Sequence, residues 1–171
     1  MKDIQLNHQH HSNSNTQFPV CVLVHNFESP MNIGSLFRIA DALGIEKIFL
    51  TGSSLTPPNS KIRKTSRATE SAVPWSYHEA PLDVIQDLRS KGYTIVSLEI
   101  TSNSIDINEF DLEGTEKICL IPGSENYGVP DEILKESDFA VHIPMMGQNS
   151  SMNVATACAI AIYKLTESLK N

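Results

Sequence analysis

Between residues 20 and 52 the chain runs strand, helix, strand in about thirty residues, and that spacing commits it to a parallel pair. Residues 20–25, VCVLVH, form a short apolar run rich in β-branched side chains, the pattern of a buried strand. Asn26, Ser29 and Pro30 then turn the chain, and Pro30 suits the first position of a helix. Ile33, Leu36, Phe37, Ala40 and Leu43 recur at helical spacing until Gly44 ends the helix. Residues 47–52, KIFLTG, supply the second strand, so the crossover should be right-handed.

The alternation continues to the C-terminus. Pro74 restricts residues 73–78, VPWSYH, to an edge strand, in which Trp75 and Tyr77 read as packing residues or as platforms for a base. Residues 81–91 form a helix opened by Pro81 and closed by Gly92, with Val84, Ile85 and Leu88 inward. Residues 93–100, YTIVSLEI, and 116–122, EKICLIP, are further strands, and Pro130 opens a short helix over DEILKES. Between them, residues 101–114 are polar and acidic, with Ile105, Ile107, Phe110 and Leu112 as anchors. Strands and helices in alternation predict an α/β fold, a Rossmann-like, mostly parallel sheet flanked by helices, in a single domain over residues 18–171.

Residues 139–165 carry the strongest local signal. The strand FAVHIPM leads through the polar loop MGQNSS into a helix, MNVATACAIAIYKL. Ser150 or Ser151 is the expected cap. Val154, Cys158, Ala161 and Leu165 form one apolar stripe and Ala155, Ala159 and Ile162 a second, so the helix is buried on more than one side.

Residues 1–17 are polar and should form a flexible tail. His8, His10 and His11 in it could hold a metal weakly, but no metal-ligand spacing downstream completes a site. No apolar run approaches the roughly 20 residues that span a bilayer, and the N-terminus has no signal-peptide core. Cys21, Cys119 and Cys158 are widely spaced in apolar runs and read as reduced core thiols of a cytoplasmic protein. The formal charge of −7 excludes a surface basic all over, but not a local basic patch. Lys61, Arg63, Lys64 and Arg67 are four of the thirteen basic residues within KIRKTSR, in a stretch with no clean period. Two readings stay open, a phosphate-contacting patch or a solvated, mobile loop.

In open α/β sheets ligands bind beyond the C-terminal ends of the strands. Four such loops carry unusual residues: Asn32 and Gly34 with Arg38 one turn on; the segment after Leu98; Gly123 to Gly128 with Glu125 between; and Gly147 to Asn153. Neither GxGxxG after the first strand nor GxxxxGK[ST] is present, which argues against a dinucleotide-binding Rossmann domain and a P-loop.

These loops in this order resemble the SpoU (TrmH-type) branch of the SPOUT RNA methyltransferases. The Asn-x-Gly-x-x-x-Arg motif is matched by Asn32, Gly34 and Arg38. Gly-x-Glu-x-x-Gly is matched by Gly123, Glu125 and Gly128. Ile-Pro-Met followed by Ser-Leu-Asn is matched by Ile143, Pro144 and Met145, then Ser151, Met152 and Asn153, with Met152 replacing the usual Leu. The resemblance covers residues 19–169.

The resemblance implies a C-terminal deep trefoil knot, a homodimer, and S-adenosylmethionine as methyl donor. It places the cofactor between the loops of Leu98, Gly123, Ile143, Ser151 and Met152. It implies methyl transfer to a ribose 2′-hydroxyl of RNA, with transfer RNA favoured over ribosomal RNA, no metal and no membrane. Arg38 is the implied activator of the hydroxyl, and Asn32, Glu125, Ser151 and Asn153 would orient Arg38, the cofactor and the substrate ribose. An arginine is protonated in water, so Arg38 acts either as a base in special surroundings or as a charged stabiliser of the alkoxide. KIRKTSR would grip RNA phosphates. A non-catalytic RNA-binding module and a base methyltransferase are the rival readings: retention of Arg38, Asn32, Glu125 and Asn153 together argues against the first, and the Arg38 motif favours ribose over a base.

Overall fold

The computed structural model describes residues 16–111 and 114–169. The histidines of the N-terminal tail and Leu112 lie outside the described residues. The chain forms β1 (Phe18–His25), α1 (Pro30–Ala42), β2 (Ile45–Thr51), α2 (Ser60–Ser66), a 3-10 turn (Thr69–Ser71), β3 (Trp75–His78), α3 (Pro81–Ser90) and β4 (Thr94–Leu98). It continues through β5 (Ile105–Asp106), β6 (Ile118–Pro122), α4 (Asp131–Lys135), β7 (Phe139–His142) and α5 (Val154–Ser168). The seven strands form one sheet in the order β3-β2-β1-β6-β4-β7-β5, and every pairing is parallel.

Strand side chains alternate between two faces, and each face has its own core. Val20, Val22 and Val24 meet Ile33, Leu36 and Phe37 of α1 and Cys158, Ala161 and Leu165 of α5. Cys21 and Leu23 meet Val84, Ile85 and Leu88 of α3 and Ile133 of α4. A central strand covered on both faces reads as a continuous apolar run, which is why VCVLVH shows no alternation. β1 leads to α1 on one face while its neighbour β6 leads to α4 on the other, so the loops after these adjacent strands diverge and leave a crevice between them.

The structure departs from the sequence reading in several places. The aperiodic stretch around KIRKTSR contains α2, too short to show a period; Asn59 caps it by accepting from the N–H groups of Lys61 and Ile62 at 2.9 and 3.2 Å. Its buried Ile62 joins the core beside α1, so the segment is a docked helix and not an irregular loop. The isoleucine anchor in the acidic stretch is an edge strand, β5, paired with β7. β7 ends at His142, so Ile143 to Met145 leave the sheet. The cap of α5 is neither Ser150 nor Ser151 but Asn153, whose Oδ1 accepts from Thr156 N–H at 3.2 Å. The three cysteines are free and buried, and burial pushes the Cys21 and Cys158 thiols up to about 11 and about 12. No helix among the described residues is long and apolar enough to cross a membrane.

Candidate active site

The segments after β4, β6 and β7 close around a cavity of about 620 Å³, which runs on to the start of α5. Leu98, Gly123, Ile143, Ser151 and Met152 all line it, and so do Glu125 and Asn153. The cavity sits at the C-terminal ends of β4, β6 and β7, where the parallel strands present their loops.

The loop after β6 is a tight ring. Ser124 N–H donates to Gly128 O at 3.0 Å, and Gly128 N–H returns the bond to Ser124 O at 3.1 Å. Gly128 takes a φ of +66°, a conformation L side chains rarely adopt. The ring projects Glu125 toward the first turn of α1. There Asn32 Nδ2 donates to Glu125 Oε1 at 2.6 Å. Asn153 Nδ2 donates to Asn32 Oδ1 at 3.0 Å. One residue from each of the three sequence motifs thus joins a single hydrogen-bonded chain, Glu125–Asn32–Asn153. Ser29 supports it from below, since its Oγ caps α1 by accepting from Asn32 N–H at 3.3 Å.

Arg38 lies elsewhere. It is exposed on α1 and is not part of the cavity lining. Gly34, one turn before it, is where α2 docks: a Cβ there would stand 2.7 Å from Thr65 Cβ and 2.8 Å from Ile62 O. The Asn-x-Gly-x-x-x-Arg spacing therefore carries two requirements, a polar anchor at Asn32 and a notch for α2 at Gly34. Lys61, Arg63, Lys64 and Arg67 are all exposed on α2 and its C-cap. Trp75 packs edge-on against Phe37 at 6.5 Å between ring centroids, whereas Tyr77 is half exposed and its hydroxyl donates to Gly52 O at 2.9 Å.

Sequence reasoning missed Glu99. It follows β4, lines the cavity, and places its carboxylate against Gly123 and Gly128. The available signal was a carboxylate at the end of the apolar strand YTIVSLEI.

The SpoU rRNA Methylase family profile matches residues 19–163. Among curated relatives, the tRNA (guanosine(18)-2'-O)-methyltransferase of Escherichia coli (strain K12) is 27% identical over 153 residues, covering 88% of this chain and 64% of the relative. The 23S rRNA (guanosine(2553)-2'-O)-methyltransferase RlmP of Bacillus subtilis (strain 168) is 27% identical over 144 residues, 84% of this chain and 56% of the relative. This chain thus spans less than two thirds of the length of either protein. Among solved structures, an AdoMet-bound rRNA methyltransferase from Sinorhizobium meliloti superposes with a TM-score of 0.83 at 25% identity, covering 91% of this chain and 58% of that one. The SpoU methyltransferase AviRb from Streptomyces viridochromogenes gives 0.79 at 28% identity, with 88% and 60% covered. The profile spans most of the chain, and the chain belongs to the SpoU rRNA Methylase family.

Proposed function

We propose that this protein transfers a methyl group from S-adenosylmethionine to a ribose 2′-hydroxyl of RNA, with transfer RNA favoured over ribosomal RNA, in the cytoplasm. The observation that carries the reading is the Glu125–Asn32–Asn153 chain at the cavity wall, built from three motifs of one methyltransferase family. A pure RNA binder has no use for that bond set.

The residues present fit the cofactor. The cavity is of a size for an adenosine-bearing ligand, and Leu98, Ile143 and Met152 offer it apolar surface. Gly123 and the residues around it offer backbone groups at close approach. When bound, S-adenosylmethionine supplies an electrophilic methyl group on a sulfonium. The protein's task is to position the hydroxyl and stabilise charge as its proton leaves. Glu125 and Asn153 fix both ends of the Asn32 amide, so Asn32 presents one orientation to the substrate. Ser151 and Asn153 hold the cavity's edge at the start of α5. Arg38 activates the hydroxyl, as a base in special surroundings or as a charged group that stabilises the oxygen while a phosphate or water takes the proton. Lys61, Arg63, Lys64 and Arg67 contact RNA phosphates.

Two architectural elements belong to the same reading. The first is a homodimer, supported by the exposed apolar residues Met31 on α1 and Ile160 and Tyr163 on α5, and by the position of Arg38 outside its own chain's cavity lining. The second is the C-terminal trefoil knot, with which the insertion of β7 between β4 and β5 is compatible.

The test uses purified protein, labelled S-adenosylmethionine and total RNA from a strain lacking the gene. Label in a 2′-O-methyl nucleoside from the transfer-RNA fraction is the expected result. Label in ribosomal RNA would overturn the choice of substrate. Cofactor binding lost along with turnover would favour an RNA-binding module.

A further inference from the structure

We propose that Glu99 makes the cavity prefer the positively charged methyl donor over its neutral product. The inference rests on S-adenosylmethionine being the cofactor.

Among the described residues, the groups that fix Glu99 on the cavity wall are neutral. Its own N–H donates to Val141 O at 2.9 Å, tying its backbone to β7. Its Oε1 accepts from Ile100 N–H at 2.9 Å and its Oε2 from Val129 N–H at 3.0 Å. Oε2 also occupies the space where a Cβ on Gly123 or Gly128 would lie, so both glycines are shaped around this carboxylate. A flexible side chain has become a fixed one, and its position in the site is set by its own segment, the loop after β6 and β7.

Among the described residues no cation balances the charge. The ion pairs among the described residues join Arg89 to Glu136 and Asp138, and Lys91 to Asp87. None reaches Glu99. Among the described residues that line the cavity there is no Lys or Arg. Glu125 is the other carboxylate in the lining, and its Oε1 is taken by Asn32. His142 is the other ionisable side chain there, with Nδ1 sharing a hydrogen bond of 3.0 Å with Ser104 Oγ. A partly buried, well-oriented anion without a cationic partner is a standing preference for a cationic ligand.

The methyl donor and the demethylated product differ in that respect. Transfer of the methyl group leaves the sulfur with its electron pair and no charge. S-adenosylmethionine carries a net positive charge and S-adenosylhomocysteine none, while the two are otherwise nearly the same shape. A fixed carboxylate in the same small cavity therefore holds donor more tightly than product. At the separations such a cavity permits, the preference from one charge is on the order of fivefold.

The test measures dissociation constants by calorimetry on the full chain for three ligands: S-adenosylmethionine, S-adenosylhomocysteine, and sinefungin, which carries an ammonium in place of the sulfonium. Wild type should bind both cationic ligands more tightly than S-adenosylhomocysteine. Glu99→Gln removes the charge and keeps one acceptor oxygen, enough for one of the Val129 and Ile100 N–H groups, so the S-adenosylhomocysteine affinity reports what the lost bond costs the cavity. It should weaken the two cationic ligands about fivefold and leave S-adenosylhomocysteine within about twofold. Equal weakening of all three would make Glu99 a structural support and overturn the proposal. Equal affinity of wild type for donor and product would overturn it without any variant. Failure of wild type to bind any of the three would instead remove the cofactor reading on which the proposal rests.

Discussion

Asn32 and Asn153 are 121 residues apart and are joined by a 3.0 Å hydrogen bond from Asn153 Nδ2 to Asn32 Oδ1. Each amide has two duties. Asn32 accepts from Asn153 and donates to Glu125, while Asn153 donates to Asn32 and accepts from the first turn of α5. The arrangement fixes which end of each amide is oxygen and which is nitrogen.

That division separates stability from activity at position 153. Asn153→Asp keeps an oxygen for Thr156 N–H and remains a good helix cap, but cannot donate to Asn32. Its melting temperature should stay within about 2 °C of wild type, while methyl transfer falls at least roughly tenfold. Asn153→Ala loses both duties and should cost about 1 kcal/mol as well, a drop of roughly 2–4 °C. Thermal melts beside the RNA methylation assay check both. Equal melting for the two variants would show that the cap is not what Asn153 contributes.

At Gly34 the expected failure is mechanical. An added Cβ meets the α2 backbone at Ile62 O, which cannot move without moving the helix. Gly34→Ala should destabilise the fold by about 1–3 kcal/mol and shift the basic face of α2 with it. A denaturant melt reads the first effect. An RNA-binding titration reads the second, as weakened affinity in protein that is still folded.

The segments that carry this site were readable in the sequence because parallel strands deliver their loops to one edge of the sheet. Once the strands were placed, Asn32, Glu125 and Asn153 had to lie at that edge. Their mutual bonds were not readable, because nothing local says that the Asn32 amide spans from one loop to another. The α5 cap shows the same limit. NSSMN offers several capping side chains, and Asn153 is chosen by a partner far away in the chain. α2 was missed because a seven-residue helix with one buried apolar side chain leaves no period. Glu99 was passed over because its place is defined by two absent side chains, at Gly123 and Gly128.

The turn after α2 stores strain that a substitution can remove. Arg67 and Ala68 have φ values of 54° and 70°, two consecutive non-glycine residues in the left-handed region. For an alanine this conformation costs about 1–2 kcal/mol. Ala68→Gly should stabilise the protein by up to about 1 kcal/mol, the rest being offset by greater freedom in the unfolded chain. The melting temperature should rise by roughly 2–4 °C. A fall would mean that the Ala68 methyl makes contacts worth more than the strain.

The basic face of α2 gives a salt-dependent signature. Lys61, Arg63, Lys64 and Arg67 are exposed, and none is in an ion pair among the described residues. If all four meet phosphates, replacing them with Gln should flatten the plot of log affinity against log salt by roughly 3. Cofactor affinity should not change, because the cavity lining is untouched. An unchanged slope would place the RNA on another face.

Acid should weaken the protein through His25. The Thr51 hydroxyl donates its hydrogen to Val24 O at 3.0 Å, so in the 3.0 Å contact between Thr51 Oγ1 and His25 Nδ1 the ring must be the donor. Nδ1 therefore carries the hydrogen and Nε2 is the nitrogen that titrates. Burial lowers the pKa of His25 below its ordinary 6.5, against a smaller opposing pull from the Glu132 carboxylate. The unfolded chain then takes up this proton at a higher pH than the folded one. Stability is fully present above about pH 6.5 and is lost as pH falls through the folded value. Urea midpoints at fixed protein concentration should decline between pH 7.5 and 5. His25→Gln should remove part of that decline, while a wild-type slope in the variant would assign the loss to other groups.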